Sequence, residues 1–429
     1  MGKHGPMLLG GHRGMGENLA MLGTDGSLGV YPAFRENTIQ SFQEAVKCGV
    51  GFVEFDVQVT RDNVPIIWHD DDVVFGPAEQ PRRPQVKDLT FAELQTLCGR
   101  HTHHHGHHHH GHHHHDRALG PGPGQAGSVR GSSEDGSEAT DLGDRSPRTH
   151  GGSEDGSCAS SGSGAGDAGC PRLLRRFRDR ATRQWNSRYE PWRCARDDSI
   201  PTLEEVFRSL PPEVGFDIEV KMTTGDDVVH TPAEEVERML AAILPVVERC
   251  ATPPAPASTS APDPAARSRA SSPLPLLDFV PSQHHSAAAD RSGGGPGPLR
   301  RRIMFSSFDP DVCVELKRRQ GAHPVYYLSG CGLYEHADAR RTSIPAALAF
   351  AEEAGMRGVV VPASILLKNM DMVASASSRR LELMTYGLEN NDLDCLRAQA
   401  DAGVAAAIVD EVAGVTAALG SGEEAADEE

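Results

Sequence analysis

The chain of 429 residues predicts a closed (β/α)8 barrel of the TIM type, carrying two long insertions expected to be disordered. Three observations predict it. Strand-like and helix-like segments alternate along most of the chain, which implies a mostly parallel sheet. Two stretches, 100–197 and 252–299, break that alternation through biased composition. Setting them aside leaves roughly 280 residues, near the ~250 that a barrel needs.

The elements follow in order. Met7–His12 is a short apolar run. Thr38–Lys47 reads as a helix, because Ile39, Phe42, Ala45 and Val46 fall on one helical face. Phe52–Thr60 alternates as a strand and Val64–His69 is apolar. Only Arg61, Asp62 and Asn63 separate these two. A parallel crossover needs a dozen or more residues, so they should form an antiparallel hairpin. Folding about Asp62 sets Asp56 opposite Trp68 and brings Glu54, Asp56 and His69 together. Phe91–Leu97 is helical. Thr202–Leu210 opens with a capping box, Thr202 with Glu205 three on. Strands are then expected at Phe216–Val220, Ile303–Ser306, Val325–Leu328, Val359–Val361, Leu383–Tyr386 and Ala406–Val409. Helices are expected at Pro232–Val247, Asp309–Arg319, Ile344–Ala354 and Leu393–Ala402. The barrel domain spans 1–415, and 416–429 reads as an acidic, solvated tail.

Composition narrows the rest. The formal net charge of -18 argues against a nucleic-acid scaffold. A small anionic substrate stays admissible, since a metal ion can invert the local field. The 9 cysteines are scattered and form no C-x-x-C pair, which points to reduced thiols and a cytoplasmic chain. No apolar run of about 18 residues exists, so no stable membrane insertion is expected. A signal peptide is not expected. A plastid is the alternative location, without a clear transit peptide. The insertion at 100–197 holds a run, His101–His115, in which twelve of fifteen residues are histidine. It reads as low-complexity drift or a loose transition-metal binder, with no spacing that builds a defined site. The insertion at 252–299 is rich in Pro, Ala and Ser and should lack fixed structure.

The residues suited to chemistry stand at strand ends. Glu54-Phe55-Asp56 puts two carboxylates on one face of a strand. They form either a solvated face or a buried pair that needs a metal or a partner. Glu219 ends another apolar strand, and three hard oxygen donors suit Mg2+ or Ca2+ and not zinc. Lys221 could neutralise a phosphate oxygen or form a salt bridge to Glu219. His12 and His69 each end a strand beside this acidic cluster, and a histidine pair can serve as acid and base near neutral pH. Arg13 offers a planar fork for phosphate. Asn37 or Thr38 should cap the following helix, and Glu36 could contact substrate or orient a catalytic histidine.

Five motifs occur in order: His12-Arg13-Gly14, Arg35-Glu36-Asn37-Thr38, Phe52 to Val57, Pro65-Ile66-Ile67-Trp68-His69-Asp70 and Gly215 to Lys221. Together they resemble the glycerophosphodiester phosphodiesterase family, and Ser306-Ser307-Phe308 and Leu383 to Gly387 extend the match. The resemblance implies a TIM-type barrel that splits glycerophosphodiesters into glycerol 3-phosphate and an alcohol. It implies metal ligands at Glu54, Asp56 and Glu219, an acid–base pair at His12 and His69, and substrate contacts from Arg13, Lys221 and Glu36. The expected cofactor is Mg2+ or Ca2+ and the expected partner a small glycerophosphodiester. In place of the Trp-Thr-x-Asn of bacterial members stands Met384-Thr385-Tyr386-Gly387, which leaves the head group open. The form resembles eukaryotic members, and the expected type is the plain plant and algal one without an extra regulatory module. Two other readings compete: a lysophospholipase D-like enzyme, and an idle barrel that binds or buffers metal. The sequence sets no oligomeric state and no order of acid and base between the histidines.

Overall fold

A computed structural model describes residues 7–19, 21–22, 28–97, 173–179, 185–186, 188–251 and 301–426. The histidine run and the whole second insertion, 252–299, lie outside the described residues.

Eight parallel strands close on themselves. They are β1 (Leu8–Gly11), β2 (Phe52–Val59), β4 (Gly215–Val220), β5 (Ile303–Ser307), β6 (Val325–Leu328), β7 (Gly358–Pro362), β8 (Glu382–Tyr386) and β9 (Ala406–Val409). Each pairs with the next, β9 pairs with β1, and β1 pairs with β2 to complete the circle. The outer layer includes α1 (Ile39–Lys47), α2 (Phe91–Leu97), α3 (Leu203–Ser209), α4 (Ala233–Cys250), α5 (Pro310–Arg319) and α6 (Ile344–Glu353). It continues with α7 (Ala363–Leu366), α8 (Asp371–Ser378), α9 (Leu393–Ala402) and α10 (Val412–Ala426).

The expected hairpin is present. β3 (Pro65–Ile67) runs antiparallel to β2, with Val57 opposite Ile67. Asn63 takes a left-handed conformation, φ 61°, which its short polar side chain tolerates. The Trp68 N–H donates to the Asp56 carbonyl at 3.0 Å, the register expected from folding about Asp62. Helix caps also follow the sequence. The Thr38 hydroxyl accepts from Ser41 N at the start of α1, and Thr202 and Glu205 form the capping box of α3.

β2 shows how the barrel divides its surroundings. All eight of its residues are buried. Val53, Phe55, Val57 and Val59 join the large core between strands and helices. Phe52 points the other way, into an interior cluster with Tyr326, Leu328, Val360, Met384, Ala406 and Ile408. Gly10 is required there, because a Cβ on it would lie 2.2 Å from the Phe52 ring. Further along the same inward face come Glu54 and Asp56, so the interior changes from apolar to charged over four residues.

Two expectations need correction. The first insertion is not unstructured up to residue 197. Leu173, Phe177 and Trp192 are buried in a second cluster with Ile66, Trp68, Val73, Phe75 and Leu94. A two-residue strand, Leu174–Arg175, pairs with Glu190–Pro191. The arginine-rich composition hid this, because whether a charge can be buried depends on partners elsewhere in the chain. The acidic tail at 416–429 is also not a separate segment as far as Ala426, since α10 crosses its start. Helices α7 and α8 were not read from the sequence: α7 is one turn long, and α8 is built largely from Ala and Ser.

Candidate active site

Parallel pairing of β2 with β4 sets Glu54 beside Asp217 and Asp56 beside Glu219. All four carboxylates are buried at the carboxyl-terminal end of the barrel interior. Glu54, Asp56 and Glu219 each offer an oxygen, and these oxygens lie within 4.8 Å of one another. Their protonation equilibria report the crowding. Burial, then Asp56, pushes Glu54 well above the usual carboxylate range. Burial pushes Glu219 up to about 7 against the pull of Lys221. Asp56 is also opposed by burial, but Arg13, Lys221 and the hydrogen bond from Asn37 hold it low. Glu219 Oε1 is buried with no hydrogen-bond partner. Three hard oxygen donors, like-charged and incompletely satisfied, fit a divalent cation such as Mg2+ or Ca2+.

His12 follows β1. Its Nδ1 lies 2.6 Å from Asp410 Oδ1, just past β9, and its Nε2 lies 4.0 Å from Glu54 Oε2. Burial disfavours the imidazolium, but the charge and hydrogen bond of Asp410 together with Glu54 outweigh it, and His12 is raised to about 9. The partner moves the opposite way: burial would raise Asp410, yet His12 brings it down to about 2. Asp410 also accepts from the Glu17 N–H at 2.9 Å, which fixes its carboxylate.

His69 has the same arrangement on the opposite side. Its Nδ1 lies 2.9 Å from Asp70 Oδ1, and Lys221 Nζ donates to its Nε2 at 2.8 Å. An ammonium cannot accept, so Nε2 carries the lone pair and Nδ1–H donates to Asp70. Lys221 also lies 3.8 Å from Glu219 and 4.0 Å from Asp56, so the salt bridge considered from sequence is present.

Arg13 links the two sides. Its backbone is left-handed, φ 47°, and its N–H donates to Glu54 Oε2 at 2.9 Å. Its guanidinium donates to Glu36 Oε1 at 3.0 Å and lies 3.5 Å from Asp56 Oδ2. Asn37 does not cap α1; its side chain donates to Asp56 Oδ2 at 2.8 Å. Glu36 does not line the main pocket and shows no bond to either histidine. It backs Arg13 from within the protein and accepts from the Asn18 N–H at 2.5 Å. Position beside a motif does not reveal which way a buried carboxylate turns.

These groups open into one pocket of about 950 Å3, its mouth included. His12, Arg13, Glu54, His69, Glu219 and Lys221 line it, so six of the eight residues expected from sequence share one pocket. Asp56 lies behind these lining residues at 1% exposure. Phe308 and Tyr386, 5.9 Å apart edge to face, form an aromatic side near Tyr334 and Glu389. The sequence reading missed Asp410 and Asp217. Asp217 accepts from Ser306 Oγ at 2.7 Å, and burial raises it to about 7. It was legible as the inward neighbour of Glu219, two residues away. Asp410 was legible only as the acid that follows the expected strand Ala406–Val409.

The glycerophosphoryl diester phosphodiesterase family model matches residues 12–289 and 298–413. Among curated relatives, a glycerophosphocholine phosphodiesterase of Eremothecium gossypii is 30% identical over 95% of this chain and 25% of its own length. A chloroplastic glycerophosphodiester phosphodiesterase of Arabidopsis thaliana is 26% identical over 95% of this chain and 79% of its own length. The chain therefore spans about a quarter of that fungal relative and about four fifths of that plant one. Among solved structures, a Silicibacter pomeroyi protein assigned as a glycerophosphoryl diester phosphodiesterase superposes with a TM-score of 0.50 at 16% identity. The match covers 98% of this chain and 96% of that one, and supports the fold alone. The ordered motifs, the closed barrel and the family match converge: this chain belongs to the glycerophosphoryl diester phosphodiesterase family.

Proposed function

We propose that this chain hydrolyses glycerophosphodiesters to glycerol 3-phosphate and an alcohol, with Mg2+ or Ca2+ held by Glu54, Asp56 and Glu219. One observation carries the reading. Two histidines, each anchored through Nδ1 by an aspartate, flank a single buried acidic cluster in one pocket. The names of the fungal and plant relatives point to the same substrate class.

The two histidines divide the proton work. His69 Nε2 holds its lone pair toward Lys221 and serves as the base, taking the proton of the substrate's own glycerol hydroxyl once substrate draws Lys221 onto phosphate. His12 stands between Asp410 and Glu54, which favour its charged form, and delivers a proton to the leaving alkoxide. Arg13 and Lys221 face the phosphoryl oxygens. A bound divalent cation supplies stabilisation of the charge that develops there. A cyclic phosphate formed by internal attack is then opened by water, with the histidine roles reversed.

The test is release of glycerol 3-phosphate from glycerophosphocholine by the purified chain, in EDTA and then with Mg2+ or Ca2+ restored. Metal-restored release is expected. Metal-independent release removes the cation from the reading. No release from any glycerophosphodiester, with turnover of lysolipids, replaces it by a lysophospholipase D-like activity.

A further inference from the structure

We propose that the returning arm of the first insertion is a working part of the active site, with Arg175 as a positioning residue that holds both halves of the catalytic apparatus. The inference rests on the reading above.

Arg175 is buried, at 5% exposure. Its Nη1 lies 2.9 Å from Glu36 Oε1, and its Nη2 lies 3.5 Å from Asp70 Oδ1. These two oxygens are already in use. Glu36 Oε1 accepts from Arg13, and Asp70 Oδ1 is the partner of His69 Nδ1. One guanidinium therefore bridges the carboxylate that sets the phosphate-facing arginine and the carboxylate that sets the base. Arg175 does not line the substrate pocket, so it acts through these neighbours.

The bridge is rigidly mounted. The Arg175 guanidinium lies 4.6 Å from the centre of the Trp192 ring, and Arg35 lies 4.7 Å from the same ring. The Trp192 indole N–H donates to Asn18 Oδ1 at 3.0 Å, and Asn18 in turn holds Glu36. Leu173 and Phe177 on either side of Arg175 are buried in the cluster under the hairpin. A planar fork can span two carboxylates while stacked on a ring, and an ammonium cannot. Without it, Asp70 loses its restraint and the His69 ring loses its fixed tautomer and aim.

The experiment compares Arg175→Met, Arg175→Lys and Asp70→Asn with the full chain. Arg175→Met should lower kcat roughly 10- to 100-fold with KM changed less than about threefold, as expected for misaimed groups. Arg175→Lys should recover part of that loss. The Arg175→Met/Asp70→Asn double variant should be no slower than the slower single variant. Additive losses would overturn the proposal, as would wild-type kcat in Arg175→Met. An activity-independent readout accompanies these. The His69 Nδ1 proton, assigned by its loss in His69→Gln, should be present downfield in the wild-type NMR spectrum and lost in Arg175→Met. Its persistence there overturns the positioning role even if the wild-type chain turns over no diester, an outcome that would separately sink the proposed function.

Discussion

The two ends of the barrel interior follow opposite rules. At the amino-terminal end of β2 the inward position is Phe52, packed with Tyr326, Met384 and Ala406. Four residues on, the inward position is Asp56, held low by Arg13, Lys221 and Asn37 beside two carboxylates pushed upward. Both are buried, and both belong to one strand. The apolar end gains free energy from area removed from water. The charged end incurs desolvation and like-charge repulsion, and is tolerable because opposite charges, hydrogen bonds and a divalent cation can offset them. Stability and chemistry thus occupy separate layers of the same strands.

The largest test of this division is removal of the histidines. His12→Ala and His69→Ala should each lower turnover by roughly 100- to 10,000-fold, with the far-ultraviolet circular dichroism spectrum of a folded barrel retained. Near-wild-type rates in either would end its assigned role. Asp410→Asn should have a smaller effect, about 10- to 100-fold on kcat. It also removes the carboxylate that lifts His12, so the limb of the pH–rate profile owed to the His12 imidazolium should move to lower pH. A limb that stays in place would detach Asp410 from His12.

At the other end, Phe52→Ala should cost about 3–5 kcal/mol of stability with kcat within about twofold below the unfolding range. A large kcat loss without a stability loss would erase the distinction between the layers. The smallest effect concerns pH. Glu219 is raised to about 7, so between its ordinary value of 4.5 and 7 the folded state binds more protons than the unfolded chain. Stability owed to this group is therefore full below 4.5 and lost as pH rises through 7. Asp217, raised to about 7 from 3.8, acts in the same direction. In EDTA, Tm should fall by on the order of 5 °C from pH 4.5 to pH 7.5. Mg2+ or Ca2+ should flatten the decline, and Glu219→Gln should reduce it. A Tm that rises across this window without metal would contradict the electrostatic reading of the cluster.

Much of this was legible in the sequence because the signals were local. The separation of Glu54 from Asp56 fixes their shared face whatever the strand's neighbours, and the three-residue link at Arg61–Asn63 forces a hairpin. Thr202 with Glu205 caps a helix through bonds three residues long. The order of motifs identified the family. The insertion arm is the counterexample. Its arginines fell in a stretch expected to be disordered, because their partners, Glu17, Glu36 and Asp70, lie more than a hundred residues earlier.

The sequence by itself determined the alternation of elements, the hairpin, the caps and the acids and bases available at strand ends, since each rests on geometry within a few residues. Only the tertiary structure decided that Asp410, 398 residues from His12, anchors it. Only the structure turned Glu36 inward to an arginine and Asn37 to Asp56, and brought Arg175 between Glu36 and Asp70. Closing a barrel places the ends of distant strands side by side, and the energy of a buried charge depends on those neighbours and not on its own stretch of chain.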